Sequence, residues 1–157
     1  MTQEDKELLL KDLCARLNTN LVCSIYRTDD YGVGYRDEIL SGYCKGDIWY
    51  EFYFGDDCGI GIDNVSKIKP YLFPLSSMTE EQAIELFNIF GISLVDSVGA
   101  NYIKVNEITG ITFFFQNGFD VETHLDKLID WLNKNHFDYR GLIEKGLALD
   151  ATDKNIY

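Results

Sequence analysis

Between Gln3 and Leu17 the apolar residues Leu9, Leu10, Leu13, Cys14 and Leu17 recur at intervals that gather side chains on one face of a helix. Glu4, Asp5 and Glu7 come early and Arg16 late, as the helix dipole favours, so the spacing predicts a first helix over Gln3 to Leu17. Asn18-Thr19-Asn20 breaks the period; Leu21 to Tyr26 predicts a strand and Asp29 to Gly34 a turn. From Tyr35 to Phe54 two strand-like runs flank Cys44-Lys45-Gly46-Asp47, whose composition suits a hairpin connection. In the second run Ile48, Tyr50, Phe52 and Phe54 share one face, while Trp49, Glu51 and Tyr53 share the other. Large rings therefore stand on both faces, and either both are covered or an aromatic patch meets solvent.

Gly55 to Gly59 reads as another turn, and Ile60 to Ile68 as one more strand weakened by its glycines. Lys69-Pro70-Tyr71-Leu72-Phe73-Pro74 holds both prolines and predicts an extended connection, since each proline pushes its predecessor out of the helical region. Thr79-Glu80-Glu81-Gln82 matches a capping box, after which Ala83, Leu86, Phe87 and Phe90 continue at helical spacing toward a capping Gly91. Tyr102 to Val105 and Ile111 to Gln116 predict a second hairpin, with Phe113, Phe114 and Phe115 filling both sides of a central strand. Leu125, Leu128, Ile129 and Leu132 form the core-facing stripe of a third helix. A short helical turn from Leu142 to Lys145, a capping Gly146 and a docked polar tail complete the chain. Hairpin-linked strands interrupted by helices predict an α+β fold: an antiparallel sheet of five to six strands with three main helices packed on it. With no repeat, low-complexity tract or linker, residues 1–157 are expected to form a single α+β domain.

A chain of 157 residues, 46% hydrophobic and 14% aromatic, can bury roughly 70% of its unfolded surface, which argues against disorder. Its 26 acids against 14 bases give a net charge of −12 and disfavour direct nucleic-acid binding, because a phosphate backbone demands clustered Lys and Arg. The start, Met-Thr-Gln-Glu-Asp-Lys-Glu, lacks the basic then apolar pattern of a secretory signal. Runs such as Leu8 to Leu10 fall far short of the ~18 apolar residues a membrane span needs. Cys14, Cys23, Cys44 and Cys58 include no C-x-x-C pair and fit free, mostly buried thiols in a reducing cytosol.

Known chemistries find little purchase. Gly55-Asp56-Asp57-Cys58-Gly59-Ile60-Gly61-Ile62-Asp63 gathers carboxylates near glycines, but lacks the alternating ligands and final glutamate of a calcium loop. Gly59-Ile60-Gly61 is half of a dinucleotide fingerprint and leads toward prolines instead of a helix, and no Walker A loop exists. Zinc spacings are absent. The only histidines, His124 and His136, lie about 18 Å apart along a helix, so both cannot serve one Cys44 or Cys58 nucleophile unless the chain bends. No cofactor, metal or catalytic residue is expected.

Three stretches carry a resemblance: Lys11 to Leu17 (KDLCARL), Lys69 to Glu81 (KPYLFPLSSMTEE) and Asp130 to Leu149 (DWLNKNHFDYRGLIEKGLAL). Over roughly a quarter of the chain it resembles a family of small uncharacterised proteins of gut Bacteroidetes, their phages and mobile elements. The resemblance implies a cytoplasmic protein of a bacterial host cell, a phage or mobile-element accessory protein, and supplies no catalytic residue.

The segment from Asp29 to Asp63 owes nothing to that resemblance. It holds nine acids against Arg36 and Lys45, a net charge of −7. Ranged along one side of a sheet, such carboxylates would imitate a nucleic-acid backbone and attract a partner's basic groove; scattered over turns, they would only keep the protein soluble. The expectation is a non-enzymatic protein that acts through protein–protein contact, with Trp49, Glu51, Tyr53, Asp56, Asp57 and Asp63 as its epitope. In its sharper form it inhibits a host nucleic-acid-binding factor by acidic mimicry. Tyr139 and Arg140 form a second candidate contact; the quieter reading pins Tyr139 to the core and pairs Arg140 with a carboxylate or a helix end. The alternative class is a small-ligand-binding domain or cysteine-dependent enzyme with a pocket between sheet and helices.

Overall fold

The computed structural model of the chain describes residues 1–29, 32–45, 50–55, 58–89, 102–106, 110–114 and 125–157. Its architecture is α+β, with three helices among these residues and a mixed, mostly antiparallel main sheet. Two compact units partition the chain: Met1–Leu72 with Arg140–Tyr157, and Phe73–Tyr139.

The first unit begins with helix α1 (Gln3–Ala15). Thr2 Oγ1 accepts the Asp5 N–H at 3.1 Å and Asp5 Oδ2 accepts the Thr2 N–H at 3.0 Å, a capping box with aspartate where glutamate or glutamine is usual. Leu9 and Leu13 enter the core, one turn apart. Antiparallel strands β1 (Val22–Asp29), β2 (Gly32–Lys45), β3 (Tyr50–Phe54) and β4 (Cys58–Gly61) follow. The β1–β2 pairing runs to Asp29 opposite Gly32, so Gly32, Val33 and Gly34, expected in a turn, are strand. A 3-10 helix (Ile62–Lys67) replaces most of the strand expected from Ile60 to Ile68 and buries Val65. The proline segment, expected as a connection, is strand β5 (Ile68–Pro74) and pairs with β1 through Cys23 opposite Pro70 and Ile25 opposite Ile68.

Extended backbone was legible in the prolines; sheet membership came from the partner strand. Beyond Pro70, which has no N–H to give, a side chain completes the ladder. Tyr157 accepts the Val22 N–H at 3.3 Å and donates its hydroxyl proton to the Tyr71 carbonyl at 2.7 Å. Strand order in this unit is β4-β3-β2-β1-β5, with the later short strand β9 (Leu149–Asp150) lying parallel to β5 at Tyr71 and Leu72. One core joins Leu9 and Leu13 to Cys23, Ile25, Leu40, Phe52, Phe54, Ile68, Leu72 and Leu142.

In the second unit, Thr79 Oγ1 accepts the Gln82 N–H at 3.3 Å and Gln82 Oε1 accepts the Thr79 N–H at 2.9 Å, the expected capping box of helix α2 (Glu80–Ile89). Strands β6 (Tyr102–Asn106) and β7 (Gly110–Phe114) form the expected hairpin as a separate two-stranded sheet, so Phe113 and Phe114 do not occupy a central strand of the main sheet. Helix α3 (Leu125–Lys134) places Trp131 and Leu132 against Leu86 of α2. Strand β8 (Phe137–Asp138) pairs in parallel with Phe73 and Pro74 at the end of β5, and the Trp131 and Phe137 rings stack at 5.6 Å.

The expectation of a purely antiparallel sheet carrying all three helices is thereby corrected. Strands β8 and β9 enter in parallel after a helix and a turn, and at two residues each they are too short to show a period. Helix α1 packs in the first unit's core, whereas α2 and α3 pack on one another.

Candidate functional site

Register decides which side chains share a sheet face, because directly opposed residues in an antiparallel pair project the same way. Cys23 opposite Glu38 and Ile25 opposite Arg36 fix the core side of β1 and β2; Leu40, buried with Phe54, continues it. The opposite face therefore carries Val22 with Ile39, Ser24 with Asp37, Tyr26 with Tyr35, and Thr28 with Val33. A β-bulge at Ser41 absorbs one residue, so that Tyr43 still meets Phe52 on the core side, with ring centroids 5.1 Å apart. Beyond the bulge the outer face continues through Gly42, Cys44, Glu51, Tyr53, Gly59 and Gly61.

This face leaves large apolar groups in water. Val33 and Tyr35 are each 66% exposed and Ile39 is 48% exposed, at alternate positions of one strand. Tyr26 meets Tyr35 edge-on at 5.2 Å, which holds the ring upright on the sheet. Polar order surrounds the stripe. Tyr71 donates its hydroxyl proton to Asp37 Oδ1 at 3.0 Å, and burial together with that carboxylate pushes the Tyr71 pKa up. Tyr53 donates to Glu51 Oε2 at 3.1 Å, which raises the Tyr53 pKa. Gly59 makes room for this pair, since a Cβ there would stand 2.7 Å from Glu51 Oε2.

Of the residues expected from sequence, Glu51 and Tyr53 are brought together on this outer face. Trp49, Asp56 and Asp57 lie outside the described residues; Asp63 belongs to the 3-10 helix. Tyr139 donates to Asn133 Oδ1 at 3.0 Å within the second unit. Arg140 belongs to the first, where its Nε donates to Asp12 Oδ1 at 3.1 Å. Sequence reasoning missed Val33, Tyr35 and Ile39 as a set. The alternation Val33-x-Tyr35-x-Asp37-x-Ile39 is present in the sequence, but Val33 falls within the turn expected from Asp29 to Gly34.

The remaining reactive groups sit elsewhere. Cys23 is buried in the core, where desolvation pushes its thiol pKa well up, while Cys14 is exposed and Cys44 half-buried; all three are free. His136 is buried in the second unit with a left-handed backbone (φ 58°), and His124 lies outside the described residues. Among the described residues no group of three or more His, Cys, Asp or Glu is placed to hold a metal ion, and no helix is long and apolar enough to cross a membrane. Compared with protein families, with curated proteins and with solved structures, the chain matches none.

Proposed function

We propose that the chain is a non-enzymatic interaction protein that presents the outer face of its first unit to a protein partner. Val33, Tyr35 and Ile39 supply the apolar centre; Glu51 and Tyr53 supply polar contacts beside it. The observation that carries this reading is the exposure of three large side chains on one face of one strand, the combination of apolar centre and polar border found in transient interfaces. The chain's charge of −12 selects a basic partner, and the acids of residues 29–63 favour a nucleic-acid-binding groove on it. In the setting implied by the sequence resemblance, the protein works in a bacterial cytoplasm as a phage or mobile-element accessory factor that occupies a host protein's groove.

The test is capture of a nucleic-acid-binding protein from bacterial extract, followed by competition against that protein's own DNA or RNA. The expected result is mutual exclusion, with affinity that falls steeply as salt rises. Val33→Asp with Tyr35→Glu should abolish capture while leaving the circular dichroism spectrum unchanged. Salt-insensitive binding would remove the mimicry, and undiminished capture by the double variant would remove this face from the mechanism.

A further inference from the structure

The core side of the first unit opens at one end into a cleft of about 230 Å³, bounded by β1, β4 and the 3-10 helix Ile62–Lys67. Its wall runs against the composition of the chain. Arg27, Lys67 and Asn64 line it together with the Thr28 segment of β1, and no carboxylate stands in the described wall. Gly59 and Gly61 contribute bare backbone at the β4 side. Two cations in one wall are unexpected beside a segment, residues 29–63, that carries a net charge of −7.

The state of Arg27 sharpens the observation. Its Nη2 is ion-paired with Glu38, which lies outside the cleft wall and fixes the guanidinium along one edge. Its Nε is buried and has no hydrogen-bond partner, an arrangement that leaves a charged donor group short of an acceptor. Lys67 makes no ion pair among the described residues. A fixed guanidinium and a flexible ammonium form the usual pair of groups for a phosphate oxyanion, the first by geometry and the second by charge. Volume restricts the ligand further, since pockets for drug-sized molecules begin at about 300 Å³.

We propose that this cleft binds a phosphate-class oxyanion, with Arg27 and Lys67 as its cationic contacts and Asn64 as a neutral contact. Free phosphate and the terminal phosphoryl group of a small metabolite present the same chemistry. The site is separate from the outer face and does not rest on the partner-binding reading.

Isothermal titration of the full chain at low ionic strength, with inorganic phosphate and with phenyl phosphate, tests it. Saturable one-to-one binding is expected for at least one probe. Tighter binding of phenyl phosphate would indicate a metabolite whose organic part adds contacts in the cleft, and equal binding would indicate free phosphate. Lys67→Gln, at an exposed position, should weaken binding by about tenfold, the loss expected for one charged hydrogen bond, while Lys11→Gln on α1 should change it less than about twofold. No saturation with either probe at tens of millimolar overturns the proposal. So does equal weakening by the two substitutions, which would mean diffuse attraction without a site.

Discussion

Asp12→Asn should destabilise the first unit more than any other single polar substitution in it. Asp12 on α1 and Arg16, the residue that caps its C-terminal end, are both fully buried. Asp12 Oδ2 accepts from Arg16 Nε at 2.8 Å; Oδ1 accepts from Arg16 Nη2 at 3.2 Å and from Arg140 Nε at 3.1 Å. One carboxylate thus compensates two guanidinium groups, only one of which, Arg140 at 15%, retains some exposure. Asparagine keeps the shape but removes the charge, and turns an NH2 toward a donor. Breaking a buried pair in this way costs about 3–5 kcal/mol, because the partner charge stays behind in the interior. A domain holds about 5–15 kcal/mol in all, so about a fifth or more of the stability would go. Urea unfolding followed by circular dichroism should show the midpoint falling by about 2 M, for a denaturant slope near 2 kcal/mol/M. Arg140→Met removes the partly exposed partner and leaves the Arg16 fork intact, so about 1–2 kcal/mol is expected. If Asp12→Asn cost less than about 1 kcal/mol, or less than Arg140→Met, the triad would not be a buried electrostatic unit.

Tyr157→Phe deletes the hydroxyl that joins the Val22 N–H to the Tyr71 carbonyl and should cost about 1–3 kcal/mol by urea unfolding. Burial raises the Tyr157 pKa far above its ordinary 10.0, so its contribution is complete below pH 10.0 and is lost as pH rises toward the folded-state value. The phenylalanine variant should accordingly show a shallower alkaline loss of stability; an unchanged alkaline profile would contradict this linkage. A maleimide reagent at neutral pH should modify exposed Cys14 in the native protein and reach Cys23 only after unfolding, as peptide mapping by mass spectrometry can read. Comparable rates at the two thiols would contradict the buried placement. Gly59→Ala should push the Glu51 carboxylate aside, break its bond from Tyr53 and bring the Tyr53 pKa down toward 10.0, which NMR titration of the ring would follow.

The elements readable from sequence were those whose signal is local. The apolar spacing of α1, the Thr79 to Gln82 capping box and the pairing of β6 with β7 all follow from residues a few positions apart. What escaped depends on distant segments. Pro70 announces extended backbone, yet its place beside Cys23 depends on a strand that begins at Val22. Strands β8 and β9 have two residues each and exist only because β5 is there to pair with. The faces of β3 were legible in part: the structure buries Phe52 and Phe54 and turns Glu51 and Tyr53 outward. Those of β2 were not, because the extra residue at Ser41 interrupts the alternation that identifies a face. Tyr43, read without the bulge, would fall on the side of Ile39; with it, Tyr43 lies on Phe52.

The first unit is therefore built in two ways. Strands β1 to β4 are a contiguous meander, residues 22–61, and this local piece carries all of the exposed stripe. Closure comes from the other end of the sequence: Arg140 reaches Asp12, Ala151 donates its N–H to the Leu72 carbonyl at 2.9 Å, and Tyr157 completes the β1–β5 ladder. Contacts of such long sequence separation are costly to form in loop entropy, and here they secure α1, which packs in the core, and β5, which extends the sheet beside β1. The exposed face can thus vary at Val33, Tyr35 and Ile39 with little effect on closure, because none of the closing contacts uses those side chains. Substitutions at Val33, Tyr35 and Ile39 should therefore alter the outer surface without the loss of stability expected at Asp12 and Tyr157.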